Sequence, residues 1–117
     1  MKCNGTNCNC HIFHQETLDK VNDNLRSDNS LKAISDYFKI ISDFTRIKML
    51  EAIKDDFLCV CDLGHLLGIT KSAVSHQIKL FKEYDLVEQR REGKMVYYKL
   101  KDQFIADIIN NVGVELN

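Results

Sequence analysis

Asp62-Leu63-Gly64-His65-Leu66-Leu67-Gly68-Ile69-Thr70-Lys71-Ser72-Ala73-Val74-Ser75-His76-Gln77-Ile78 is the stretch whose reading decides the fold. Asp62 has the side chain of a helix cap, and Gly68 suits the left-handed residue that ends a short helix. Thr70 then caps a second helix, predicted from Lys71 to about Tyr84. Short helix, glycine turn and second helix make a helix-turn-helix. On the second helix Val74, Ile78 and Phe81 recur at i, i+4 and i+7 and point inward. Ser72, Ser75, His76 and Lys79 share the opposite face, with Lys71 and Lys82 at its ends. That face is short, polar and basic, as a helix entering a DNA major groove requires. Lys71, Ser72, Ser75, His76, Gln77 and Lys79 are therefore the candidate contacts.

Downstream, residues 86–100 (LVEQRREGKMVYYKL) read as a β-hairpin. Val87, Gln89 and Arg91 fall on one face of the first strand, and Val96, Tyr98 and Leu100 alternate on the returning one. Glu92-Gly93-Lys94 supplies the turn, with Gly93 free to take a positive φ. Arg90, Arg91 and Lys94 are assigned to the tip, within reach of phosphates or the minor groove. The expected fold is mainly α with a β-hairpin: a winged helix-turn-helix. Asp102 then caps a last helix whose Phe104, Ile105, Ile108, Ile109 and Val112 form an apolar stripe. A second copy of the chain is the expected cover, which makes a homodimer.

Upstream, Leu58-Cys59-Val60-Cys61 runs into the Asp62 helix. Two thiols two residues apart do not close an unstrained disulfide, but they can give two thiolates to one soft ion. Residues 1–15 (MKCNGTNCNCHIFHQ) hold three more cysteines and two histidines with little apolar content. This segment is expected to be a flexible metal-ligating arm, leaving 16–117 as the DNA-binding and dimerisation domain. Cys10 with His14, or Cys8 with His11, are the pairs that can close the shell around Cys59 and Cys61. A thiolate-rich set favours cadmium, lead or zinc over magnesium or calcium, and nothing calls for an organic cofactor. His65, at i+4 from Cys61, reads as solvent-facing or hydrogen-bonded, and His76 belongs to the DNA face.

Between arm and cysteine pair, helices are predicted over residues 16–26, from a cap at Ser30 along Leu31, Ile34, Phe38 and Ile41, and from Ser42-Asp43 along Phe44, Ile47, Leu50 and Ile53. These form the core and the N-terminal half of the dimer support.

The chain of 117 residues carries a net charge of −1, but unevenly. Residues 69–101 hold eight Lys or Arg against four Asp or Glu, while the flanking segments are acidic. Screening makes the local surplus the one a phosphate meets. No apolar run approaches the ~20 residues of a membrane span, and the N-terminus lacks a signal-peptide core, so a cytoplasmic protein is expected. In a reducing compartment, five cysteines point to metal or redox chemistry rather than a disulfide scaffold.

From about residue 31 to 112 the chain resembles the ArsR/SmtB family of winged-helix metal-responsive repressors. Ser42-Asp43-Phe44-Thr45-Arg46, Leu58-Cys59-Val60-Cys61-Asp62-Leu63, Ser72-Ala73-Val74-Ser75-His76-Gln77 and Arg91-Glu92-Gly93-Lys94-Met95-Val96-Tyr97-Tyr98 carry the likeness. The LCVCDL box is similar to that of the cadmium- and lead-responsive branch. The resemblance implies a metal-free dimer on double-stranded operator DNA, released when metal binds between this box and the N-terminal arm across the dimer. It also implies Cys10 as the first arm ligand, with His14 standing where the branch offers a second arm cysteine. Many family members bind zinc between their last helices through Asp-x-His. Here Asp102-Gln103-Phe104 stands in that place and no histidine follows His76, so that site is expected to be missing. Two rival readings give the cysteines another role, either as a thiol redox switch or as ligands of a structural zinc. An enzyme is not expected, since no His-Glu cluster offers a catalytic metal with a base beside it.

Overall fold

The computed structural model describes residues 14–116. In chain order it has α1 (Gln15–Asn24), α2 (Asp28–Ile40), α3 (Phe44–Ala52), β1 (Leu58–Cys59), α4 (Val60–Leu67), α5 (Lys71–Glu83), β2 (Val87–Glu92), β3 (Met95–Leu100) and α6 (Gln103–Leu116). The chain divides within α2 into two units, Met1–Ile34 and Ser35–Asn117.

In the first unit α1 buries none of its residues, and Leu18, Val21 and Leu25 are all exposed. The expected break before α2 moves upstream. Ser27, not Ser30, is the cap: its Oγ accepts the Ser30 N–H at 3.2 Å and its carbonyl accepts the Leu31 N–H at 3.0 Å. Ser27-Asp28-Asn29-Ser30 offers four cap-competent side chains in a row. Capping at the first places Asp28 in the opening turn, where the positive helix end favours a carboxylate.

In the second unit the core is assembled from Ile40, Met49, Leu50, Ile53, Leu63, Val74, Ile78, Phe81, Leu86 and Ile105, all at 3% exposure or less. The inward face of α5 is the predicted one. Phe44 departs from its stripe and stands 76% exposed, because it opens α3 one residue after the Asp43 cap, which accepts the Arg46 N–H at 3.0 Å.

The α4–α5 corner forms as its residues dictate. Gly68 ends α4 at φ +68°, where a side chain would be strained, and Thr70 Oγ1 accepts the Ala73 N–H at 3.1 Å to start α5. Gly64 serves closeness instead: a Cβ there would come within 3.0 Å of the Ile69 carbonyl oxygen. Downstream, β2 and β3 form the expected hairpin around Gly93 at φ +62°, pairing Val87 with Leu100, Gln89 with Tyr98 and Arg91 with Val96.

Two features differ from expectation. β1 is a third strand, too short for any alternation to announce it, and it pairs antiparallel with β3 as Leu58 with Tyr98 and Cys59 with Tyr97. The cysteine box therefore belongs to the sheet of the wing. α4 also starts two residues before Asp62, so the cap is Cys59 and Asp62 is the third helical residue.

Candidate metal centre and nucleic-acid interface

Cys59 and Asp62 close the start of α4 as a reciprocal capping box. The Asp62 carboxylate accepts the Cys59 N–H at 3.1 Å, and the Cys59 sulfur faces the Asp62 N–H. The Cys59 backbone N–H first, and its side chain second, hold the Asp62 carboxyl below the usual carboxylate range. Asp62 is thus a brace for Cys59 rather than the helix cap.

Cys59 is buried and Cys61 exposed, yet both line one open cleft of about 290 Å³ whose other walls are Val60, Lys94, Met95, Val96 and Tyr98. Two sulfurs on a shared opening are a donor set that would suit a soft or borderline ion. Among the described residues, no group of three His, Cys, Asp or Glu side chains gathers to hold a metal ion. His14 precedes α1 as an exposed residue that makes no side-chain cap bond, and His65 is exposed in the last turn of α4. Cys8, Cys10 and His11 lie outside the described residues.

Between the two cysteines, Val60 lines a second groove, of about 170 Å³, with Ser75, Ile78, Lys79, Lys82 and Tyr98. The residue flanked by the thiols therefore borders the outer face of α5. Sequence reasoning missed Val60 because a lone valine beside a helix start carries no periodic signal.

On α5, Lys71, Ser72, Ser75, His76 and Lys79 are exposed on the predicted face. Gln77 is not free for bases in the same way. It is half-buried, and its Oε1 accepts from Arg46 Nε at 3.0 Å, while Arg46 Nη1 reaches the Lys39 carbonyl at 3.4 Å. Arg46 thus ties the end of α2 and the start of α3 to α5, a role no local pattern could announce.

The three wing cations named from the sequence also separate. Arg90 lies within β2 rather than at the tip, its Nε 3.2 Å from Glu92 and its guanidinium 4.4 Å from the centroid of the Phe57 ring. Arg91 and Lys94 are exposed and make no ion pair among the described residues.

Asp102 caps α6 as expected, accepting the Ile105 N–H at 2.8 Å, and it also accepts the Tyr37 hydroxyl. Burial first, and then this contact with a carboxylate, pushes the Tyr37 phenol well above its ordinary range. Beside it, Ile41, Phe44, Ile47, Ile108, Ile109 and Val112 line an apolar groove of about 670 Å³. Tyr37, Phe38 and Phe104 form an aromatic cluster with ring centroids 5.8–6.3 Å apart, and Phe104 is 53% exposed.

The profile of the bacterial regulatory protein, arsR family, matches residues 43–89, from the α3 cap into β2. The Transcriptional repressor SmtB homolog of Synechocystis sp. is 30% identical over 109 residues, covering 93% of this chain and 83% of the relative. The Cadmium resistance transcriptional regulatory protein CadC homolog of Staphylococcus aureus is 28% identical over 103 residues, 87% and 84% of the two chains. Among solved structures, the transcriptional regulator HlyU from Vibrio vulnificus superposes with a TM-score of 0.66 at 26% identity, covering 84% of this chain and 96% of that one.

Proposed function

The chain belongs to the arsR family of bacterial regulatory proteins, whose members are DNA-binding regulators and not enzymes, and from that premise we propose a soft-metal-responsive transcriptional repressor. The metal-free protein holds operator DNA as a homodimer and lets it go when cadmium, lead or zinc binds at Cys59 and Cys61. Cys10 and His14, with Cys8 as the alternative donor, complete the shell from the N-terminal arm of the partner subunit. Bound there, the ion supplies a polarising charge that holds two or more deprotonated sulfurs together.

The observation that carries this reading is the position of Val60. It sits between the two thiols and borders Ser75 and Lys79 on the outer face of α5. Drawing Cys59 and Cys61 toward a common point turns the first residues of α4, and Val60 turns with them. Asp62 keeps the Cys59 backbone fixed to the helix start, so the movement passes into α4 and is not absorbed by a fraying turn. In a dimer the two α5 helices must meet half-sites ~34 Å apart, so a small change in their setting costs affinity. Coupling of this kind is typically about 1–3 kcal/mol, a factor of about 5–150 in operator affinity.

The apolar groove and exposed Phe44, Phe104 and Val112 support dimerisation through α6, with α1 adding the exposed faces of Leu18, Val21 and Leu25. Lys71, Ser72, Ser75, His76 and Lys79 face the major groove, with Arg91 and Lys94 on phosphates. Gln77 contributes through its amide N–H₂, since its oxygen is held by Arg46.

The test is to titrate cadmium chloride, and separately peroxide, into the complex with a duplex that the metal-free protein selects from a randomised pool. Release by cadmium, with a sulfur-to-cadmium charge-transfer band that weakens in Cys10→Ser and His14→Ala, supports the proposal. Release by peroxide alone, reversed by a thiol reductant, replaces it with a redox switch. Metal binding without release leaves a structural ion.

A further inference from the structure

Lys82 stands in the last turn of α5, exposed, with its ammonium 5.2 Å from the centroid of the Tyr98 ring. Tyr98 is buried, and its backbone lies in the middle strand of the sheet, paired with Leu58 of β1 on one side and Gln89 of β2 on the other. A cation over a ring that is fixed in a sheet is itself held in place, although it grows from a helix. Lys82 thus bridges the reading helix and the wing. Its charge meets no anion, since it makes no ion pair among the described residues. Arg90 makes the contrast, because the Phe57 ring and the Glu92 carboxylate both take it up.

Lys82 and Tyr98 both line the groove of about 170 Å³ described above. Ser75, Lys79 and Lys82 enter it at i, i+4 and i+7, one stripe of α5. Among the described residues it therefore offers a hydroxyl and two ammonium groups, and no carboxylate lines it. Neighbouring like charges repel, and an anion seated between them turns that cost into attraction. Ser75 and Lys79 also belong to the face assigned to the major groove, so this groove opens at the edge of that face. A duplex lying there carries its backbone past Lys82.

We propose that this groove seats one DNA backbone phosphate per subunit, taken by Lys82, and that Tyr98 is the positioning residue that holds the ammonium ready for it. The inference rests on the DNA-binding reading above and is independent of the metal. A lysine that takes a phosphate gives up rotational freedom; over the ring Lys82 has given up part of it beforehand, so less is lost on binding. The π face attracts the cation without neutralising it, which leaves N–H donors for the phosphate. Such a contact sets how helix and wing sit on the duplex and is blind to base sequence.

In the metal-free protein with its selected duplex, Lys82→Gln is expected to lower the slope of log K against log salt by about 0.9 per subunit. Affinity falls by up to about fivefold, the scale of one exposed charge pair, and by the same factor on selected and unrelated duplexes. Replacing single phosphates by neutral methylphosphonates locates the seat: one position per half-site weakens the wild type and leaves Lys82→Gln unmoved. Tyr98→Leu is expected to lose most of the same affinity alone and nothing further in the Lys82→Gln background. Tyr98→Phe, which keeps the π face, stays at the wild-type value. In the wild type without DNA, the ε protons of Lys82 carry the upfield NMR shift of protons held over an aromatic ring, a readout that needs no variant. An unchanged salt slope in Lys82→Gln overturns the phosphate seat and leaves DNA binding to the other cations. An ordinary ε-proton shift, or additive losses from Lys82→Gln and Tyr98→Leu, overturns the role of Tyr98. Failure of the wild type to select any duplex overturns the DNA reading as well.

Discussion

The first turns of α4 and α6 are each held by an aspartate carboxylate, Asp62 in one and Asp102 in the other. In α4 the carboxylate reaches back to the N–H of Cys59 and leaves two sulfurs facing an open cleft. In α6 the carboxylate takes the Ile105 N–H and then the Tyr37 hydroxyl, both from within the fold. The two carboxylates work in opposite directions, Asp62 back to the residue before the helix and Asp102 forward into the first turn, and each fixes backbone. What differs is which side chains the turn presents: thiols on a cleft shared with the wing in one case, the exposed Phe104 ring in the other.

The most severe way to break the contrast is to remove the sulfurs. Cys61→Ser or Cys59→Ser is expected to bring the cadmium-induced loss of operator affinity from a factor of about 5–150 to about 1. Metal-free affinity should stay within a few fold, as fluorescence anisotropy would record. Next in size is Asp102→Ala, which removes a cap and the acceptor of the Tyr37 hydroxyl together. A loss of about 2 kcal/mol in urea unfolding is expected, with the cadmium band of the folded protein unchanged. If that band fell instead, the two helix starts would not be separate in function.

Asp62→Ala is expected to cost about 1 kcal/mol and, unlike the change at Asp102, to weaken cadmium binding as well. Its pH dependence has a definite sign. The folded carboxyl titrates below its unfolded value, so its contribution is complete above pH ~5 and fades as pH falls through ~4 and below. Wild type and variant should therefore converge in stability in acid. The smallest effect belongs to Tyr37→Phe, about 0.5–1 kcal/mol at neutral pH. Here the folded phenol titrates above its unfolded value, so wild type loses stability once pH rises beyond ~10, where the unfolded chain ionises. The variant is spared that part of the loss, which a stability–pH series would reveal.

Much of the fold was legible because it rests on local rules. The Gly68 turn, the Thr70 and Asp102 caps, the inward Val74-Ile78-Phe81 stripe and the Gly93 hairpin each follow from a few neighbouring residues. The errors fall where a local rule had competitors. Ser27 took the cap expected of Ser30, and Cys59 took the one expected of Asp62, because sulfur is seldom counted among capping atoms. β1 escaped notice since two residues cannot show alternation; its partner lies about forty residues away and only tertiary pairing makes it a strand. For the same reason the sequence could nominate Arg90, Arg91 and Lys94 together but not sort them. Only the fold puts Phe57 and Glu92 on the first and the cysteine cleft beside the last.

Cys59 keeps its place in the sheet through main-chain pairing with Tyr97, and a main chain is indifferent to the side chain it carries. The side chain does not share that indifference: it is buried and its sulfur faces the Asp62 N–H, so a replacement at 59 must also close the start of α4. Position 61, exposed at the same helix start and outside that capping box, is where a side chain can change while the backbone stays anchored by others.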